Sequence, residues 1–516
     1  MRKTKIVCTI GPACSDETTL TAMMKAGMNV ARLNFSHGTH EEQLARIELI
    51  DKLRKQLNLP IAILLDTKGP EYRIRRFRNG KVMLTEGENF IFTTRELDGD
   101  ETIVSVNYKG LAADLDPGDI ILLNNGLLKF KVKEIIDTDI HCEILVGGEL
   151  SDRKSMSFPN KLLKQPYLSE QDKADLIFAM EHDVDFIACS FVSCRQDLLD
   201  VKNFMHEYYD THKRNSFSIA SADACSASDS SVTDNGNMAA NVTGSDNTSA
   251  PKLSNPDGIE LLAKIENQAG IDNIEEICSE CCGIMIGRGD MGVEIPFEQL
   301  PAAQKHLITR CRLLGKRVIT ATEMLESMIH NPRPTRAETS DVANAVYDGT
   351  SAIMLSGETA AGKYPVLAVE TMARIAEETE KHINYEKRFR NSEFRIKNTV
   401  DAISHATCGM AIDIEAKAIA VCTLSGMTAR MVSRFRNPAD ILGFTTNEKT
   451  YHQLALSWGI TPALGDTYDS TEVLFYAAKQ KATEVFGLNR GDHLILTGGM
   501  TRGISGNTNM LKIETI

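Results

Sequence analysis

Lys264-Ile265-Glu266 closes one apolar run, Ile259 to Ala263, and Gly287-Arg288-Gly289-Asp290 closes another, Gly283 to Ile286. A helix-like segment lies between them. Two short strands joined by a helix form a βαβ unit, and here each strand delivers charge at its carboxyl end. A lysine and two carboxylates at neighbouring strand ends suit a divalent metal and a transferring phosphoryl group. Taken singly, each residue could equally be half of a surface salt bridge.

Other apolar runs end in the same manner. In chain order their carboxyl ends read Thr9-Ile-Gly-Pro, Arg32-Leu-Asn34-Phe-Ser36, Asp66-Thr67-Lys68, Ser190, Lys264-Ile-Glu266, Gly289-Asp290, Thr322 and Ser356-Gly-Glu358. Glu266 and Asp290 can hold a hard divalent ion that keeps water and takes substrate oxygens. Arg32 offers a bidentate fork for a phosphoryl group, and Lys264 a point charge for stabilising charge that develops in transfer. The Gly289 and Asp290 amides, ahead of a helix-like Phe297–Thr309, can bind a carboxylate. Asn34, Ser36, Asp66 and Thr67 are oxygen donors without a nearby base; they read as a second cation site or as backbone caps. His37 reads as structural. No Ser/His/Asp triad is suggested, and the chain reads as having neither a GxxxxGK[ST] loop nor a GxGxxG after a strand, which speaks against a P-loop or Rossmann enzyme.

These groups need a frame that gathers strand ends. Short apolar runs recur at Lys5–Ile10, Asn29–Leu33, Ile61–Leu65, Asp185–Ser190, Ile259–Ile265, Gly283–Ile286, Arg317–Thr320 and Ser351–Leu355, each followed by a helical pattern. Asp16–Ala26 can start on Ser15 or Asp16 and stop at Gly27. His40–Leu57 carries Leu44, Ile47, Leu49 and Leu53 at helical spacing. Eight β–α repeats with continuously apolar strands predict an α/β chain built on a closed (β/α)8 barrel of the TIM type. An open doubly wound sheet is the alternative; the number of units and the strand-end chemistry favour the barrel.

Two insertions interrupt the count. Residues 70–166 lose helical periodicity and offer strand-like runs at Lys81–Leu84, Asn89–Thr93, Thr102–Val106, Ile120–Leu123, Leu127–Ile135 and His141–Leu145. They predict an all-β domain set after the third barrel strand, on the catalytic side, where it can serve as a lid. The barrel then occupies 1–69 and 167–384. Residues 215–257, rich in Ser, Ala, Asn, Asp and Thr, are expected to be loosely ordered, on the face opposite the chemistry. From about Tyr385 to residue 516 a C-terminal open α/β domain is expected, with a helix at Thr399–Met410 and strands at Ala418–Cys422, Ile441–Phe444 and His493–Thr497. Thr423, Ser425 and Thr428 follow its first strand at a helix start, a seat for a phosphate or a set of caps.

Composition limits the partners. The 516 residues are 42% apolar and 25% charged, the balance of an ordinary globular protein of several domains. No apolar run is long enough to cross a bilayer, and the basic N-terminus lacks a signal-peptide core, so a cytoplasmic protein without membrane contact is expected. A net charge of −13 argues against nucleic acid, and phosphorylated metabolites would need locally concentrated cations. The twelve cysteines lack metal-ligand spacing and read as buried reduced thiols.

The segments KIVCTIGPA, NVARLNFSHG, LLDTKGPEYR, LLAKIENQAG, GIMIGRGDMGVEIP, ATEMLESMIHNPRPTRAETSDVANAV and IMLSGETAAGKYP together closely resemble the pyruvate kinase family. The resemblance spans nearly the whole chain except the Ser/Asn/Asp-rich insert. It implies a barrel with a mobile β lid, a homotetramer, and transfer of phosphate from phosphoenolpyruvate to ADP. It also implies Mg2+ (or Mn2+) on Glu266 and Asp290, and K+ on Asn34, Ser36, Asp66 and Thr67. Lys264, Arg32 and Thr322 match catalytic positions, with Thr322 near the enolate carbon. Arg32, Lys264, Gly289, Asp290 and Thr322 match the substrate cradle, Arg73 and Asn34 the nucleotide contacts. Sugar-phosphate regulation in the C-terminal domain is implied at Thr423, Ser425 and Thr428. Two departures stand out: Tyr72-Arg73-Ile74-Arg75 replaces the common Ile-Arg-Thr-Gly, and Glu323 replaces a common Gln. A catalytically silent relative would be the rival reading, but none of the residues whose loss would signal it is missing.

Overall fold

The computed structural model describes all residues except Asn160, Leu162, 227–252 and 500–507, and only the backbone of 214–226. Eight parallel strands close into a barrel in sequence order: Lys5–Thr9, Val30–Asn34, Ala62–Asp66, Phe186–Cys189, Glu260–Ile265, Gly283–Gly287, Arg317–Ala321 and Ala352–Leu355. The strands are apolar throughout because both faces are buried. Val7, Val30, Leu64, Phe186, Leu262, Met285 and Ile319 fill the lumen, while alternate residues such as Ile6, Leu33, Ile63 and Ile284 meet the helices. The helices begin and end where side-chain chemistry dictates. Asp16 caps Glu17–Ala26 by accepting from the Thr19 amide at 2.9 Å, and Gly27 ends it at φ 118.

Between the third and fourth strands lies a β domain of two sheets. One pairs Lys81–Leu84 with Gly148–Ser151; the other has six strands around Phe90, Phe92 and Phe130. The strands Gly148–Ser151 and Met156–Ser157 escaped the sequence reading because the first, Gly-Glu-Leu-Ser, holds a single large apolar residue and the second is only two residues long. The chain enters this domain through Gly69, whose amide donates to Asp172 Oδ1 at 2.9 Å. Gly69 has φ +69, and a Cβ there would lie 2.8 Å from both the Ser190 Cβ and its carbonyl oxygen. Only glycine fits.

The insert begins differently from expectation. The helix Arg195–Ser226 runs through residues 215–226, which had been read as loosely ordered. Their alanines are good helix formers, and extending an existing helix costs far less than nucleating one. The remainder of the insert, 227–252, lies outside the described residues.

The C-terminal domain has a five-stranded sheet in the order Ile460–Leu464, Asp440–Thr445, Ala418–Cys422, His493–Gly498, Met510–Thr515, with only the last strand antiparallel. It packs on the amino-terminal ends of the barrel strands. Lys5 is buried in that seam and donates to the Ile460 carbonyl at 2.6 Å. Burial, with Arg2 and Lys3 close by, pushes its pKa down to about 7. The described cysteines are all free and, apart from Cys194 and Cys282, buried.

Candidate active site

Lys264 lies in the fifth strand, Glu260–Ile265, and Glu266 follows directly on its carboxyl end, two residues on. The Lys264 ammonium lies 3.2 Å from Asp66 Oδ1, 3.0 Å from Glu266 Oε1 and 2.7 Å from Ser190 Oγ. Residues from the third, fourth and fifth strands are thereby tied together. Arg32, from the second strand, donates to Asp66 Oδ2 at 2.6 Å and to Thr9 Oγ1 at 2.9 Å. Burial alone would discharge Lys264, but the Asp66 and Glu266 carboxylates outweigh it and hold its pKa above the ordinary lysine value. Burial likewise opposes the Asp66 charge, and Arg32 and Lys264 overcome it, so that carboxyl stays below the usual range. Lys264 and Asp66 are thus charged together.

The paired carboxylates behave otherwise. Glu266 is 1% exposed and accepts from the Phe191 amide at 2.8 Å. Burial, reinforced by Asp290, raises its pKa to about 7 despite Lys264. Asp290 is also pushed up, first by burial and then by Glu71 and Asp66 against the pull of Lys264. Two neighbouring carboxyls whose pKa values are raised by burial, and further by nearby carboxylates, suit a divalent cation. A Cβ on Gly287 would lie 2.6 Å from Glu266 Oε1, so glycine is what lets the two strand ends close on each other. Among the described residues no group of three or more His, Cys, Asp or Glu forms a metal cage. An ion at Glu266 and Asp290 would complete its shell with water and substrate oxygens.

Thr322 ends the seventh strand in an unusual conformation. Its φ is 67 and that of Glu323 is 55, two non-glycine residues in succession in the left-handed region. Thr322 Oγ1 donates to the Ala321 carbonyl at 2.7 Å and accepts from the Gly289 amide at 2.9 Å. Arg288, 7% exposed, holds the turn from beneath. Its Nε donates to the Ala321 carbonyl at 3.1 Å, its Nη2 to the Thr322 carbonyl, and its Nη1 to both Asp341 oxygens at 2.8 and 2.7 Å. Sequence reasoning gave Arg288 no role, although it stands inside the Gly287–Asp290 motif. The reading that no G-x-G-x-x-G follows a strand is corrected here: Gly287, Gly289 and Gly292 spell that spacing at the end of the sixth strand. Here the spacing has another use, because it ends a closed-barrel strand and opens the short helix Arg288–Glu294. That short helix, and not the later Leu300–Leu313, carries the Gly289 and Asp290 amides.

Two family models match. The pyruvate kinase barrel domain covers residues 1–216 and 243–369, and the pyruvate kinase alpha/beta domain covers 401–514. The chain belongs to the pyruvate kinase family. It is 42% identical over 518 residues to the pyruvate kinase of Clostridium acetobutylicum, covering 100% of both chains. It is 43% identical over 519 residues to that of Staphylococcus epidermidis, covering 100% of this chain and 81% of the relative. Its fold is similar to the crystal structure of a pyruvate kinase from Cryptosporidium parvum, with a TM-score of 0.86 and 34% identity over 100% of this chain and 96% of that one. As a pyruvate kinase it is a phosphotransferase of glycolysis.

The other residues singled out in the sequence fall in three places: beside this cluster, at the start of the β domain, and in the C-terminal domain. Asn34 and Asp66 are direct neighbours across the second and third strands. Asn34 Oδ1 accepts from the Ser36 amide at 3.2 Å, Ser36 is exposed, and the Thr67 hydroxyl donates to the Ala188 carbonyl at 3.3 Å. Arg73 sits at the start of the β domain, ion-paired with Glu71 and donating to the Arg153 carbonyl at 2.7 Å. Thr423 and Ser425 lie in the turn after Ala418–Cys422, which Gly426 closes at φ 74 before the helix Met427–Ser433. The Thr428 hydroxyl is buried against that of Thr508.

Proposed function

We propose that phosphoenolpyruvate binds at the barrel mouth with its phosphoryl group between Lys264 and Arg32, and that ADP attacks that group in line. The observation that carries this reading is the Lys264 ammonium, held among Asp66, Glu266 and Ser190 next to the buried carboxyl pair Glu266 and Asp290. Mg2+ (or Mn2+) bound by Glu266 and Asp290 would neutralise phosphoryl oxygens as charge shifts.

Lys264 comes with its charge secured by Asp66, so it needs no reorganisation as negative charge builds on the bridging oxygen. Arg32, anchored through Nε, presents its remaining guanidinium edge to the phosphoryl group. The Gly289 and Asp290 amides cradle the substrate carboxylate, and Thr322, oriented by Arg288, stands where the enolate carbon takes its proton. Arg73 and Asn34 contact the nucleotide phosphates. K+ is assigned to Asn34, Ser36, Asp66 and Thr67, and effector binding to Thr423, Ser425 and Thr428.

The domain limits 1–69, 70–166, 167–384 and 385–516 belong to the same reading, as do a homotetramer and a cytoplasmic location. Among the described residues no helix is long and apolar enough to cross a membrane. The direct test is a coupled assay of the purified chain with phosphoenolpyruvate, ADP, Mg2+ and K+. Pyruvate formation that requires all four supports the assignment, and none under any cation condition refutes it. Sedimentation equilibrium checks the tetramer.

A further inference from the structure

A cleft of ≈ 510 Å³ opens away from the barrel mouth, where the amino-terminal ends of the sixth and seventh strands meet the C-terminal domain. Cys281, Cys282, Gly315 and Lys316 line it from the barrel. The connecting segment 393–398 and the helix Met427–Ser433 line it from the other side.

Cations exceed carboxylates on its walls: Arg310, Lys316, Arg395, Lys397, Arg430 and Arg434 face Glu275, Glu280, Glu393 and Asp401. In a chain of net charge −13 this is a local reversal. The carboxylates are largely committed. Glu280 is held by Arg195 at 2.6 Å and Lys202 at 2.8 Å, both from outside the cleft. Glu275 takes Arg310, Asp401 takes Arg434 at 3.0 Å, and Arg430 is spent on Glu260 at 2.8 Å.

Three cations are left over. Lys316 donates only to the Cys281 carbonyl, at 2.7 Å. Among the described residues, Arg395 and Lys397 are exposed and their side chains have no carboxylate partner. Arg434 adds an independent sign: it is 5% exposed, yet its Nε has no hydrogen-bond acceptor. A buried donor without an acceptor is costly, and an anion in the cleft would supply one.

We propose that this cleft binds a small phosphate monoester, with the phosphate on Lys316, Arg395, Lys397 and Arg434. Lys and Arg donors at several angles match the oxygens of a tetrahedral phosphate. Glu275 and Glu393 can accept from hydroxyls of the carrier, and Leu313, Met427 and Met431 offer it an apolar wall. A polyol or a nucleoside carrier has this mixture. The ligand touches the barrel, the connecting segment and the C-terminal domain at once, so it favours one angle between the two bodies.

Isothermal titration tests this, with inorganic phosphate, a hexose monophosphate and a nucleoside monophosphate as probes. Saturating phosphoenolpyruvate and Mg2+ without ADP keep the barrel mouth filled. A monoester should bind the unmutated protein and bind about tenfold or more weakly to Arg395→Ala/Lys397→Ala and to Lys316→Met, with basal kcat retained. Thr423→Ala/Ser425→Ala/Thr428→Ala should leave that binding unchanged, and the tighter monoester identifies the carrier. Absence of binding, equal affinity in the cationic variants, or loss in the triple variant alone overturns the proposal.

Discussion

Lys264 Nζ lies 3.2 Å from Asp66 Oδ1, while Asp66 Oδ2 takes Arg32 Nε at 2.6 Å. One buried carboxylate therefore sets the spacing of two cations that would otherwise repel each other, and it does so before any substrate arrives. On the proposed assignment, such preorganisation would make Lys264 act on the transition state more than on the bound substrate. Lys264→Met should lower kcat by about two to three orders of magnitude and change phosphoenolpyruvate affinity little. Steady-state kinetics beside direct binding measurements check this; normal kcat with a raised KM would remove the lysine from its assigned role.

Asp290→Ala leaves Glu266 as the only carboxylate for the divalent ion. Turnover at ordinary Mg2+ should fall nearly to background, with partial recovery at high Mn2+ because Mn2+ binds such ligands more tightly. Unaltered activity across a Mg2+ titration would reject the metal assignment.

Arg288→Lys keeps the charge but loses the fork that joins Asp341 to the Thr322 turn. The consecutive left-handed residues Thr322 and Glu323 should then relax. A fall in kcat of about tenfold, with the fold intact by circular dichroism, is expected. Retention of full kcat would show that the turn holds itself.

Glu71 adds negative charge beside Asp290 and raises its pKa. A monovalent cation near the substrate phosphate would compensate, and a lysine at this position could replace it. Activity should therefore be low in tetramethylammonium buffer and climb with K+, whereas Glu71→Lys should flatten the response. Full activity of the unmutated protein without K+ would overturn both parts.

Lys5 gives a pH signature of stability. Its pKa is about 7 in the folded protein against an ordinary 10.5. Between those values the unfolded chain binds more protons, so this residue makes stability rise with pH there and contributes nothing further above about 10.5. Lys5→Met, which has no charge to bury, should be more stable than the unmutated protein near pH 7, with the gap shrinking toward pH 10. Urea denaturation at several pH values measures it, and a gap independent of pH would contradict the burial argument.

The barrel was legible because parallel strands buried on both faces write continuous apolar runs, and because charged residues at Arg32, Asp66, Lys264, Glu266 and Asp290 all fall where those runs stop. Strands without such a signal were missed. Ile460–Leu464 is interrupted by Pro462, and Met510–Thr515 is a half-exposed edge with charges at Lys512 and Glu514. The contacts of Arg288 were invisible for a different reason: Asp341 lies far along the chain, and only closure of the barrel brings it alongside. Glu266 and Asp290 were recognisable as neighbours, but their resistance to ionisation depends on burial that no spacing encodes.

Gly69 separates two mechanical regimes. Its backbone is seated against Ser190 and pinned to Asp172, so a swinging β domain must pivot beyond it, toward Glu71 and Arg73. A pivot there would leave undisturbed Asp66, three residues upstream of Gly69, which holds Lys264 and Arg32. On the proposed assignment, such a joint would let Arg73 travel with the β domain while Lys264 and Arg32 keep their places, so that one substrate could leave without disturbing the site of the other.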